Sequence, residues 1–218
     1  MKKSILTAIL IAGVVVASNA QKVITKKVEA QDKKVEMKFD FAENIRVEAW
    51  NKSTIELEVT VNIDDNRYND YFTLNVNEHS GSIELIEKVD FEGIKKLKGT
   101  KNLNNFNSEI NYKLKVPANL EFNLKTISGQ IELLGPIGKM SVNSISGFID
   151  YTVPASLKAS ISLSTISGNV YSDMKFEKGA LKEISWVETK RELSLNGGTL
   201  PIELKTISGD IYLRKSKL

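Results

Sequence analysis

Glu132 and Asp150 occupy the same position in two successive copies of a ten-residue phrase. If those copies stack as neighbouring strands, the two carboxyl groups lie about 5 Å apart, near the separation of the acid and nucleophile in a retaining glycosidase. Some parallel β-helices cleave polysaccharides with acids aligned in this way. The next copies place Tyr171 and Tyr212 at that position, and no adjacent Arg or His completes a catalytic set. Solvated wall residues are therefore the reading the residues favour, with glycan cleavage by Glu132 and Asp150 as the rival.

Other side chains offer weaker chemistry. His79 is the single histidine, and without cysteine a zinc site would need carboxylates for its other ligands. The run IDDNRYND from Ile63 crowds Asp64, Asp65, Asn66, Asn69 and Asp70, but lacks the alternation and glycine of a calcium loop, so it reads as a polar turn. Lys95, Lys96, Lys98 and Lys101 form the densest positive charge, suited to anionic glycans or phospholipid headgroups if not simply a solvated loop. Tyr151, Tyr171 and Tyr212 make an irregular tyrosine column that could present flat rings to sugars. Trp186 falls in a column that elsewhere holds Thr, and reads as core filling. No catalytic, metal-binding or cofactor-binding residue is assigned, and no cofactor is expected.

The elements that position these residues come from the repeated phrase: LKTISGQIEL at Leu124, VNSISGFIDY at Val142, LSTISGNVYS at Leu163 and LKTISGDIYL at Leu204. The intervals are 18, 21 and 41 residues, and a worn copy, ISWVET from Ile184, divides the last. In each copy the apolar positions alternate, change phase at a Ser-Gly pair, and alternate again, which reads as strand, corner, strand. A period near 20 residues points to a solenoid. The expected fold is all-β: a single-stranded right-handed parallel β-solenoid of about 20 residues per coil. Ile127, Ile145, Ile166, Val187 and Ile207 are expected to stack as one dry interior column at the corner, beside a column of Ser128, Ser146, Ser167 and Ser208. Earlier segments repeat the pattern less cleanly, with corners at Asn51-Lys52 and Ser80-Gly81.

Lys2 and Lys3 precede an apolar run from Ile5 to Ala17, followed by Ser18 and Ala20. This reads as a signal peptide over residues 1–20, with export across the inner membrane to the periplasm, cell surface or medium. Residues 21–40 read as a lead-in or cap. Residues 41–218 read as the solenoid domain, with a loop insertion around 87–108. Without Lys2 and Lys3 the balance is 28 basic to 27 acidic residues, which gives no reason to expect nucleic acid as a partner. With no cysteine, disulfides, thiolate metal sites and a cysteine nucleophile are all excluded. No second apolar stretch reaches the roughly 20 residues of a spanning helix.

NIRVEAWNKSTIELEV from Asn44, YKLKVPANLEFNLKTISGQIEL from Tyr112 and LNGGTLPIELKTISGDIYLRK from Leu195 resemble the DUF4097 family of exported adhesin-like proteins. The similarity spans most of residues 40–215. It implies a right-handed β-solenoid in the bacterial envelope, with no established enzyme activity and no catalytic residue to carry over. The function expected on these grounds is non-enzymatic binding or scaffolding in the cell envelope, with glycans or other envelope components as partners. Envelope-stress sensing is a third reading.

Overall fold

Alternation decides which side chains of the phrase are buried. Leu124 and Thr126 point into the core, the chain bends at Ser128-Gly129, and Ile131 and Leu133 point into the core again. The computed structural model describes residues 21–98, 107–174 and 189–216. Along the chain the strands are β1 (Lys22–Glu29), β2 (Lys34–Lys38), β3 (Asn44–Trp50), β4 (Thr54–Ile63), β5 (Phe72–Glu78) and β6 (Ser82–Val89), then helix α1 (Phe91–Lys98). They continue as β7 (Ser108–Pro117), β8 (Phe122–Thr126), β9 (Gln130–Leu134), β10 (Met140–Ser146), β11 (Ile149–Val153), β12 (Ala159–Ser167), β13 (Val170–Ser172), β14 (Thr189–Leu195), β15 (Leu200–Ser208) and β16 (Ile211–Lys215).

These strands form two sheets of eight. Sheet A runs β1-β4-β7-β3-β9-β11-β16-β13, and sheet B runs β14-β12-β15-β10-β8-β2-β6-β5. Each copy of the phrase gives one strand to sheet B, turns the corner, and gives the next to sheet A. The inward side chains meet in register: Leu124 opposite Val142, Val142 opposite Leu204, and Leu204 opposite Leu163. Apolar residues of both sheets form one buried cluster, from Val28 to Leu213.

The expected single-stranded parallel solenoid is overturned by the order and direction of these strands. The last copy, β15 and β16, lies between the second copy (β10, β11) and the third (β12, β13). Likewise β2 and β3 lie between β6/β7 and β8/β9. Both sheets are mixed, with antiparallel pairs β1–β4, β4–β7, β5–β6 and β12–β14. The physical reason is that identical phrases pair equally well with one another in parallel register. Sequence similarity therefore marks which strands are interchangeable but leaves their stacking order open.

Turn chemistry is ambiguous in the same way. Ser80-Gly81 was expected as a corner; instead it closes a hairpin inside sheet B, with the His79 amide donating to the Ser82 carbonyl at 2.9 Å. Residues 51–53 reverse the chain between β3 and β4, both strands of sheet A. Where a loop was expected over 87–108, the chain finishes β6 and forms α1, with Ile94 buried, before starting β7. The corner itself is a column of close approaches. A Cβ on Gly147 (φ +108°) would lie 2.0 Å from the Gly129 carbonyl oxygen, and one on Gly209 (φ +146°) would lie 2.1 Å from that of Gly147.

The isoleucines at this bend are also not where they were expected. Ile127, Ile145, Ile207 and Ile166 do stack, in that order, but on the outside. Each follows an inward hydroxyl residue, so alternation turns it to solvent. The inward column is Thr126, Ser144, Thr206 and Thr165, whose hydroxyls donate to backbone carbonyls of the bends; Thr165 reaches Gly209 at 2.9 Å and Thr206 reaches Gly147 at 3.3 Å.

Candidate functional site

On the outer face of sheet A, pairing sets Glu132 beside Asp150, Asp150 beside Tyr212, and Tyr212 beside Tyr171. The two carboxylates are thus neighbours, as the repeat implies. Each is held by an arginine that the sequence reading did not bring to it. Arg46, opposite Glu132 on β3, donates to it at 2.6 Å, and Arg214 of β16 donates from Nε to Asp150 at 2.7 Å. Asp150 holds the Arg214 guanidinium above its ordinary pKa, chiefly through this hydrogen bond. The Oδ1 atom of Asp150 has no hydrogen-bond partner among the described residues. Two adjacent ion pairs make a charge ladder, which differs from the apolar enclosure that keeps one carboxyl protonated for general-acid work.

Beyond the ladder lies an aromatic stack. Tyr212 sits between β11 and β13: the Arg214 guanidinium, drawn toward Asp150, lies 4.8 Å from its ring centroid, and Tyr171 stacks on it from the other side at 5.2 Å and 16°. Phe148 meets Tyr212 edge-on at 6.1 Å. The Tyr212 hydroxyl donates to Asp210 at 3.2 Å, and its pKa is raised by burial first and by Asp210 second. Asp210 also accepts the Asn169 amide at 2.8 Å. Because β13 is the edge of sheet A among the described residues, the far face of Tyr171 has no neighbouring strand. The third tyrosine of the expected column is elsewhere. Tyr151 shares parity with Ile149 and Val153, is fully buried, and donates to the Gly135 carbonyl at 3.3 Å; burial raises its phenol pKa.

The other expected residues do not assemble into a site. Lys98 is an ion-pair partner of Asp64 at 2.7 Å and lies over the Tyr68 ring at 5.3 Å. Lys95 and Lys96 lie on α1, and Lys101 lies outside the described residues, as do Ile184, Trp186 and Val187. Asp64, Asp65 and Asn66 take left-handed conformations in a turn, and buried Asn69 accepts the Ile63 amide at 2.8 Å. Among the described residues no cluster of three His, Cys, Asp or Glu could hold a metal.

Two features escaped the sequence reading. Glu87 is a buried carboxyl that accepts the Tyr112 hydroxyl at 2.7 Å and the Phe41 amide at 2.7 Å. Burial pushes its pKa up to about 7 despite these two hydrogen bonds, and pushes the Tyr112 phenol up as well. At the edge opposite the Ser-Gly bends, residues 30–34, 50–53 and 117–121 line an open groove of about 750 Å³. Trp50 borders it with the Lys52 ammonium 4.3 Å from its ring, and its indole N–H donates to Thr54 at 2.8 Å. A lone Trp or Glu in an alternating strand carries no sequence signal for either arrangement.

No family model and no curated protein matches this sequence. Comparison with solved structures finds likenesses over most of the chain. A candidate cell adhesion protein from Clostridium sporogenes ATCC 15579 superposes with a TM-score of 0.55 at 12% identity, covering 90% of this chain and 100% of that one. A candidate adhesin from Bacteroides fragilis NCTC 9343 gives a TM-score of 0.30 at 11% identity, over 91% of this chain and 99% of that one. A candidate lipid binding protein from Parabacteroides distasonis ATCC 8503 gives 0.27 at 13% identity, over 89% and 97%. The first of these likenesses establishes a common fold, and at such identities none of them transfers a ligand.

Proposed function

We propose that this chain is an exported, non-enzymatic binding protein of the adhesin-like kind, as its sequence resemblance to the DUF4097 family implies, and that it holds a saccharide ring against Tyr171. The observation that carries this reading is the stack Arg214–Tyr212–Tyr171, which ends in a ring face at the sheet edge. Tyr171 is held by its neighbour and so loses little rotamer freedom on binding, while its ring offers apolar area to the C–H face of a sugar. Asn169, exposed beside it, can meet hydroxyls. Export rests on the Lys2-Lys3 and Ile5 to Ala17 pattern.

Calorimetric titration with soluble envelope polysaccharides tests the reading. Tyr171→Ala is expected to weaken binding at least tenfold with the circular dichroism spectrum unchanged; equal affinity in the variant and the parent refutes it.

A further inference from the structure

Four isoleucines that alternation places outside the core form a straight row along the Ser-Gly edge. Ile127, Ile145, Ile207 and Ile166 are 44%, 49%, 43% and 48% exposed. The chain thus repeats a large aliphatic four times at a position where it does no work in the core. At one strand spacing per rung the row is about 14 Å long and leaves on the order of 300 Å² of apolar surface, at the lower end of the range for the largest apolar patch of a monomer, which is often functional. Its immediate neighbours are neutral: Ser128, Ser146, Ser208 and Ser167 are exposed or nearly so beside it.

We propose that this isoleucine row is the centre of a two-fold contact between two copies of this chain. A partner must match a row with a rung every 4.8 Å or so, and a second copy carries that spacing. Charge points the same way. Lys205 flanks Ile207 on the sheet B side, and Asp210, whose carboxylate also accepts the Asn169 amide and the Tyr212 hydroxyl, flanks it where the chain enters sheet A. A two-fold axis parallel to the stack keeps the rungs of the two copies level and sets sheet A of one beside sheet B of the other. Lys205 then faces the partner's Asp210, and the pair occurs twice. The row covers less than half of the roughly 800 Å² per partner of a standard interface, so the flanking rows join the contact and the affinity lies in the micromolar range.

Analytical ultracentrifugation of protein purified from cells expressing the full chain tests this, from low micromolar to several hundred micromolar. The expected result is a rise in mass to twice that of the monomer. Ile145→Ser with Ile207→Ser is expected to weaken association at least tenfold, with the thermal midpoint within a few degrees of the parent. Lys205→Glu alone weakens it comparably, and Lys205→Glu with Asp210→Lys restores it. A monomer at every concentration, or isoleucine variants that associate like the parent, overturns the proposal. Monomeric protein that instead co-sediments with phosphatidylglycerol vesicles through these isoleucines also overturns it, in favour of a lipid surface. Tyr171→Ala is expected to leave association unchanged, so this contact and the saccharide site fail or stand separately.

Discussion

The backbone of Gly147 lies directly over that of Gly129, so closely that a Cβ on Gly147 would sit 2.0 Å from the Gly129 carbonyl oxygen. The obstacle is backbone held by the ladder and cannot rotate away. Gly147→Ala is therefore expected to cost about 3 kcal/mol or more, combining overpacking with a φ of +108°. At Gly81 a Cβ meets nothing within 4 Å, so Gly81→Ala is expected to change stability by less than about 0.5 kcal/mol. Urea unfolding of both variants checks the contrast.

Behind the bend the hydroxyl column supports the same corner. Thr165 is fully buried and donates to the Gly209 carbonyl at 2.9 Å. Thr165→Val keeps the shape and removes the donor, which is expected to cost about 1–2 kcal/mol in the same urea assay.

Glu87 makes stability depend on pH in a direction opposite to an ordinary ion-paired carboxylate. Its folded pKa is about 7 against an ordinary value of 4.5, so the folded state holds the proton more tightly than the unfolded chain. The stabilisation is complete below pH 4.5 and is lost as pH rises through 7, amounting to about 3 kcal/mol over that window. Glu87→Gln removes this contribution, since Gln can still accept from the Phe41 amide. The stability of Glu87→Gln relative to the parent is expected to rise between pH 4.5 and 8; parallel curves would contradict this.

The carboxylate pair is expected to be inert. Incubation of the parent with polysaccharides should release no reducing ends above a blank, and Glu132→Gln with Asp150→Asn should behave identically. Release by the parent that disappears in the double variant would restore the glycosidase reading.

The local unit was legible in the sequence, and its assembly was not. Alternation around Ser-Gly announced strand, corner and strand, and the shared register of Glu132 and Asp150 followed from the copies. Burial of Tyr151 and exposure of Ile127 also follow from parity, once parity is given more weight than side-chain hydrophobicity. Stacking order did not follow, because four near-identical phrases offer near-identical pairing energies. The arginines that hold Glu132 and Asp150 depend on that order or on distant pairing: Arg46 lies 86 residues from its partner and Arg214 lies 64. The Tyr171–Tyr212 stack exists only because the last copy lies beside the third.

The saccharide surface requires the last copy to be inserted between the second and third, beside Tyr171. The chain has no cysteine, so paired substitutions read the order directly. Ser141 and Ser162 each lie opposite Glu203 on its two sides. Ser141→Cys with Glu203→Cys places the two Cα atoms about 5 Å apart, within disulfide reach, whereas Ser141→Cys with Ser162→Cys leaves them about 10 Å apart with a strand between. Mild oxidation is expected to close the first pair and leave the second reduced. A disulfide in the second pair with none in the first would establish sequential stacking and contradict the account.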